Sequence, residues 1–186
     1  MVLNISGPGG SGKTTLIKKT CELYPNNYSH LVSYTTRAKR NGEQNGLDYW
    51  FIQQEEYESY IDWELTRKSS LGLYGVKKED LFNYSTQFLI TNFPPNGVIK
   101  MRKLGLNVKT FFIDLSVEEC KKRMMLRGDE EQSILERIEK DSTEVSVENI
   151  MKVLSNDEVF ILNGMKTIDV LVSEFINKSK NLLFLE

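Results

Sequence analysis

The chain has 186 residues, 40% hydrophobic and 27% charged, with a formal net charge of −2. That length suits one domain with a real core, and so small a net charge supplies no global basic field for nucleic acid, so any anion must be caught by a local cluster. No apolar run is long enough to cross a bilayer, and the N-terminus enters a glycine-rich loop instead of a leader, which points to a cytoplasmic protein without membrane or nucleic-acid partners.

In chain order, "VLNIS" (Val2 to Ser6) reads as a short buried strand. "GPGGSGKTT" (Gly7 to Thr15) follows, with four glycines in six residues where the backbone must admit a close neighbour. Next comes a helix with Leu16, Ile17, Cys21 and Leu23 at apolar spacing and Lys18 and Lys19 outside. Strand, glycine loop and helix in this order aim backbone N–H groups and the positive end of a helix dipole at one point. Gly7, four residues, Gly12, Lys13 and Thr14 satisfy the phosphate-loop pattern G-x-x-x-x-G-K-[ST]. The candidate ATP site is therefore Gly7, Gly9, Gly10, Ser11 and Gly12 with Lys13, Thr14 and Thr15. Lys13 is expected to reach the β and γ oxygens and the Thr14 hydroxyl to hold Mg²⁺.

"SHLVSYTTR" predicts a strand running into polar residues, and "RNGEQNGLDYWFI" carries two Asn-Gly turn signals and a strand over residues 49–52. "QEEYESYIDWEL" reads as a helix with Tyr57, Tyr60, Ile61 and Leu65 on one side. The lone histidine, His30, lies in a polar stretch and is not expected to be catalytic. "TQFLITNF" is an apolar strand ended by Pro94 and Pro95, and "NGVIKMRKLG" a short helix closed by Gly105. "VKTFFIDL" reads as a buried strand. Ser116 and Glu119 predict a capping box on the helix "VEECKKRMML". "DEEQSILERIEKD" is helical with Ile134, Leu135 and Ile138 as its stripe, its acidic start suiting the helix dipole. "EVFIL" is a last strand, and residues 168–183 form a last helix. Cys21 and Cys120 fall in helices, lack metal-ligand spacing and read as small packing hydrophobes.

Outside residues 33–85 strands alternate with helices, which predicts an α/β fold with a parallel sheet flanked by helices. Residues 33–85 read as an inserted mixed α+β lobe. Within it "SYTTRAKRNGEQNGLDY" offers Ser33, Arg37, Arg40 and Tyr49, two guanidinium forks and two hydroxyls that suit one phosphate monoester. The bland reading of these arginines is a solvated surface.

Taken with the phosphate loop, this segment resembles the guanylate kinase family. "GPGGSGKTT", "SYTTRAKRNGEQNGLDYWF", "LYG" and "CKKRMMLRGDEEQSILER" are similar to that family's phosphate loop, its acceptor-phosphate segment, a further phosphate-binding tyrosine at Tyr74, and a lid with arginines at 123, 127 and 137. The resemblance covers nearly the whole chain. It implies a three-layer P-loop fold in a single domain, with a core of 1–32, 86–122 and 150–186, an acceptor lobe of 33–85 and a lid of 123–149. It implies phosphate transfer from ATP, with Mg²⁺, to a nucleoside monophosphate, GMP or dGMP first, by a monomer or homodimer. Lys13, Arg37, Arg127 and Arg137 are the candidate catalytic groups. Ser33, Arg37, Arg40, Tyr49 and Tyr74 are the candidate acceptor-phosphate contacts. Salt bridging of Arg123 and Arg137 to Glu118, Glu119 and Glu136 is the alternative reading of the lid arginines.

The base side departs from the family's pattern. Asp62 stands where a glutamate is expected, with Glu64 as a substitute; Val76 stands where a hydroxyl is expected; and Thr91 and Asn92 replace an acidic strand end. Two rival functions follow: a kinase of another nucleotide or of a sugar phosphate, such as a ribose-bisphosphate phosphokinase, and a non-catalytic binding module of guanylate-kinase-like fold.

Overall fold

The computed structural model describes residues 1–40, 42–69, 71–154 and 158–184. Five strands form a wholly parallel sheet: β1 (Val2–Ser6), β2 (Tyr28–His30), β7 (Phe88–Thr91), β8 (Val108–Asp114) and β9 (Val159–Asn163), in the order β2-β7-β1-β8-β9. Alternation along β1 and β8 sends side chains to both faces. Leu3, Ile5, Phe111 and Ile113 pack against Leu16 and Ile17 of α1 (Lys13–Leu23) and Phe175 and Ile176 of α8 (Ile168–Asn181). Val2 and Phe112 face Val98 and Met101 of α4 (Pro95–Lys103) and Ile150 of α7 (Val147–Val153). The result is the three-layer arrangement expected of strands that alternate with helices. Beyond it, α5 (Val117–Arg127) and α6 (Glu131–Glu144) share a small core of Leu115, Cys120, Met124 and Ile134.

The second sheet holds β3 (Tyr34–Thr35), β4 (Trp50–Phe51), β5 (Trp63–Ser69) and β6 (Gly72–Lys77) in the order β4-β3-β6-β5. It is mixed: β3 runs parallel to β4, while β6 runs antiparallel to β3 and β5. Two short helices, α2 (Gln54–Ser59) and α3 (Lys78–Phe82), flank it.

Several local expectations are corrected. The strand expected in "SHLVSYTTR" is two, β2 in the parallel sheet and β3 in the small one, and the strand expected over 49–52 covers only Trp50–Phe51. Of its Asn-Gly signals, the first involves Asn41, which lies outside the described residues. The helix expected over 54–65 stops at Ser59, and residues 63–69 are strand. Trp63 is the cause: its ring stacks on Tyr57 at 4.4 Å and its Nε1 donates to the Tyr57 carbonyl at 2.7 Å, which folds the chain back. Ile61, expected inside, is 88% exposed. In α1 Thr20 is buried beside Leu16 and Ile17, with Leu23 outside, and in α6 Leu135 is exposed. Only half of the capping box forms: Ser116 Oγ accepts from the Glu119 amide at 3.3 Å, while the Glu119 carboxylate pairs with Arg123 and Lys122.

Candidate functional site

The glycine loop joins the C-terminal end of β1 to α1, whose N-cap is Gly12 in a left-handed conformation (φ +95°). The first amides of α1 have no partner within the helix, so they are free for an anion. Gly10 has φ +80°, and a Cβ there would sit 2.7 Å from the Cys120 carbonyl, so the loop can lie on α5 only with a bare backbone. Lys13 is folded over the loop, its Nζ donating to the Gly7 and Pro8 carbonyls, each at 2.7 Å. Burial, and then the charge of Arg137, pull the Lys13 ammonium down to about 8. Thr14 and Thr15 are exposed, and Ser11 is buried with its hydroxyl unpartnered.

Residues of α6 close against this loop. Asp141, 7% exposed, accepts from the Gly9 amide at 2.5 Å and from Arg137 Nε at 3.2 Å. Arg127, at the end of α5, is chelated by Asp129. Arg123 is turned elsewhere, to Glu119 at 3.1 Å and the Gly164 carbonyl at 3.0 Å. This is the salt-bridge reading for that residue. Arg137 pairs with Asp141 and not with Glu136.

In the small sheet the Arg37 fork is buried and grips Glu43 with both amino groups, at 2.8 and 2.6 Å, while donating to the Ala38 carbonyl at 2.7 Å. Glu43 also accepts from the Arg40 amide at 2.8 Å. The Arg37 guanidinium lies 5.0 Å from the Tyr49 ring centroid, and Tyr49 meets Tyr74 edge to face at 5.9 Å. Arg37, Tyr49 and Tyr74 are thus gathered in one corner. Ser33 lies just before β3, where its carbonyl accepts from Trp50 N, and Arg40 is exposed on the following loop.

The two halves meet electrostatically. The charges of Arg137 and Arg127 fall on Lys13, that of Glu43 on Arg127, and those of Arg40 and Arg137 on Asp129. Arg127 and Arg137 therefore lie within electrostatic reach of Lys13, and the carboxylates of Glu43, Asp129 and Asp141 hold the guanidinium groups of Arg37, Arg127 and Arg137 respectively.

The base-side candidates are not gathered in this way. Asp62 is exposed at the head of β5, its backbone carbonyl taken by the Lys78 amide. Glu64 faces Val76 across β5 and β6, and Val76 is fully buried in the apolar cluster with Leu65, Leu81 and Val98. The Thr91 hydroxyl donates to Asn4 Oδ1, so it is committed within the core, whereas Asn92 is exposed.

Sequence reasoning missed Glu43, Asp129 and Asp141. All three had a signal: acidic residues six after Arg37, two after Arg127 and four after Arg137, the last being the spacing of facing helix residues.

A family model described as "Guanylate kinase" matches residues 2–163. The chain is similar to the guanylate kinase of Chlamydia caviae, with 28% identity over 94% of this chain and 87% of that protein. It is also similar to the guanylate kinase of Mycoplasma genitalium, with 31% identity over 92% of this chain and 75% of that one. The crystal structure of guanylate kinase from Anaplasma phagocytophilum superposes with a TM-score of 0.62 at 23% identity, covering 97% of this chain and 85% of that one.

Proposed function

Because the chain belongs to the guanylate kinase family, we propose that it transfers the γ-phosphate of ATP to a guanine nucleoside monophosphate, GMP or dGMP. The observation that supports this reading is the reach of Arg127 towards both anion sites, its charge acting on Lys13 of the amide loop and meeting that of Glu43 in the Arg37–Tyr49–Tyr74 corner. In the reaction an oxygen of the acceptor phosphate attacks the γ-phosphorus, the bond from that phosphorus to the β–γ bridging oxygen breaks, and ADP leaves. A phosphate oxygen is already a nucleophile, so no general base is needed, and positioning with charge neutralisation does most of the catalysis.

The loop amides and Lys13 hold the β and γ oxygens. Arg40, Ser33, Tyr49, Tyr74 and the free edge of Arg37 hold the acceptor in line. Arg127 and Arg137, released from Asp129 and Asp141, neutralise charge on the group in flight. We take residues 33–85 as the acceptor lobe and 123–149 as the lid, whose closure keeps water from accepting the phosphoryl group. The exposed Thr14 hydroxyl, at the head of α1 beside the loop, fits a Mg²⁺ that takes most of its other ligands from phosphates and water. Bound there, the metal supplies charge for the β and γ oxygens. We place the enzyme in the cytoplasm as a monomer or homodimer. In support, no helix among the described residues is long and apolar enough to cross a membrane, and both cysteines are free.

An acceptor with another base is the second reading, favoured by the burial of Val76 among apolar side chains and the capture of Thr91 by Asn4. ADP release from ATP and Mg²⁺ with GMP, dGMP, AMP, CMP, UMP, dTMP and a few sugar phosphates separates the cases. The expected result is turnover with GMP and dGMP at least about tenfold above the rest, a margin that needs only ~1.4 kcal/mol. Turnover only with another acceptor overturns the guanine assignment. No turnover with any, unchanged in Lys13→Ala, favours the binding module.

A further inference from the structure

Strands β5 and β6 slip by one residue: Glu64 pairs with Val76, but Arg67 pairs with Tyr74, so β5 carries one residue more than its partner. The slip centres on Leu65, which has φ +52° and is nonetheless buried in the apolar cluster with Val76 and Val98. Leucine rarely adopts that conformation, and bulges of this kind re-aim the side chains that follow. Here the re-aimed residue is Arg67. Its guanidinium lies over the Tyr74 ring, 4.6 Å from the centroid. Tyr74 in turn meets Tyr49, and Tyr49 lies under Arg37. The order across the corner is therefore Arg67, Tyr74, Tyr49, Arg37.

Charge accounting separates the two ends of this row. Arg37 is matched by the bidentate Glu43 carboxylate. Arg67 is exposed and has no carboxylate partner among the described residues. Its charge reaches the Tyr49 phenol, which burial and Tyr74 push up and which Arg37 and then Arg67 pull down. With Arg37 and Glu43 cancelling, Arg40 leaves the corner at about +1, whereas a phosphate monoester carries close to −2 at neutral pH. Arg67 brings the corner to about +2.

We propose that Arg67 is a third arginine of the acceptor-phosphate pocket, held on the Tyr74 ring by the β5 bulge and moving from that ring onto the phosphate when the nucleotide enters. The inference rests on the phosphotransfer reading given above. The ring contact is weak enough to exchange for a charge-assisted hydrogen bond, and the flexible stem supplies the reach.

Two variants test it. Arg67→Met keeps an unbranched apolar stem on Tyr74 and removes the charge; Arg67→Lys keeps the charge. Steady-state kinetics with each nucleotide, titration calorimetry with GMP and thermal unfolding are measured on the whole protein. The expected result for Arg67→Met is a KM and Kd for GMP about tenfold higher, as for one lost charge-assisted hydrogen bond, with KM for ATP and the Tm unchanged and a shallower dependence of GMP affinity on salt. Arg67→Lys recovers most of the loss. Arg67→Met with GMP affinity within twofold of wild type overturns the proposal, as does a parallel loss of ATP and GMP affinity with a fall in Tm. If the wild-type chain fails to phosphorylate GMP, the phosphotransfer reading fails, and the calorimetric Kd of GMP in the two variants still decides the role of Arg67.

Discussion

Glu43→Ala is the most informative single substitution in the acceptor corner. The wild-type carboxylate receives both Arg37 amino groups and the Arg40 amide, with side-chain exposure of 5% for Arg37 and 17% for Glu43. Truncation leaves a buried guanidinium with one carbonyl partner, and removing one member of such a pair costs about 3 kcal/mol. For a chain of this size that is a fall in Tm of about 6–12 °C. Burial alone raises the Glu43 carboxyl, but the Arg37 hydrogen bonds, the Arg40 amide and the two guanidinium charges together hold it below its ordinary value. The folded-state pKa is therefore below the unfolded one. The stability this carboxylate contributes is fully present above the ordinary glutamate range and is lost as pH falls through the lowered folded value. Thermal unfolding followed by circular dichroism from pH 7 down to pH 3 reads both effects. The difference in Tm between wild type and Glu43→Ala is large at pH 7 and shrinks on acidification. A difference under about 2 °C at pH 7, less than ~1 kcal/mol, or one that widens towards acid, refutes the reasoning.

Lys13 gives a second pH dependence. Its ammonium, lowered to about 8 in the free protein, is held charged by bound phosphate. ATP binding therefore takes up a proton above pH 8, so KM for ATP is flat below that pH and rises above it, towards tenfold per unit. Initial rates at saturating GMP across pH 6.5–9.5 measure it, and a flat profile contradicts it. In Asp141→Asn the amide oxygen still accepts from Gly9, but the negative charge that raises the Lys13 pKa is gone. The alkaline rise in KM for ATP then begins at lower pH than in wild type, and a shift to higher pH contradicts the placement of Asp141 against the loop.

The glycine loop was legible because its chemistry is local: Gly10 and Gly12 need positive φ, and Lys13 and Thr14 follow at fixed distances. The parallel sheet was legible because runs such as residues 111–113 are apolar on both faces. The Arg37–Tyr49–Tyr74 corner could be named but not assembled, since Tyr74 reaches it through β3–β6 pairing from far along the chain. Residues 60–65 were misread as helix because Tyr57, Tyr60 and Ile61 fit a helical stripe, and only the stacking of Trp63 on Tyr57 reveals the reversal. Glu43 and Asp141 were missed because a carboxylate that will be buried against an arginine looks, in sequence, like any solvated one. Arg67 was out of reach, because a one-residue bulge at Leu65 decides which way it points.

The central claim is that the two phosphate sites open on one cleft and are filled together. Its most direct test is the dissociation constant of a bisubstrate ligand, adenosine and guanosine joined through five phosphates, measured by calorimetry beside ATP and GMP. Simultaneous occupation predicts binding at least about 100-fold tighter than ATP, because the second site is filled at high effective concentration. A dissociation constant no lower than that of ATP contradicts the account.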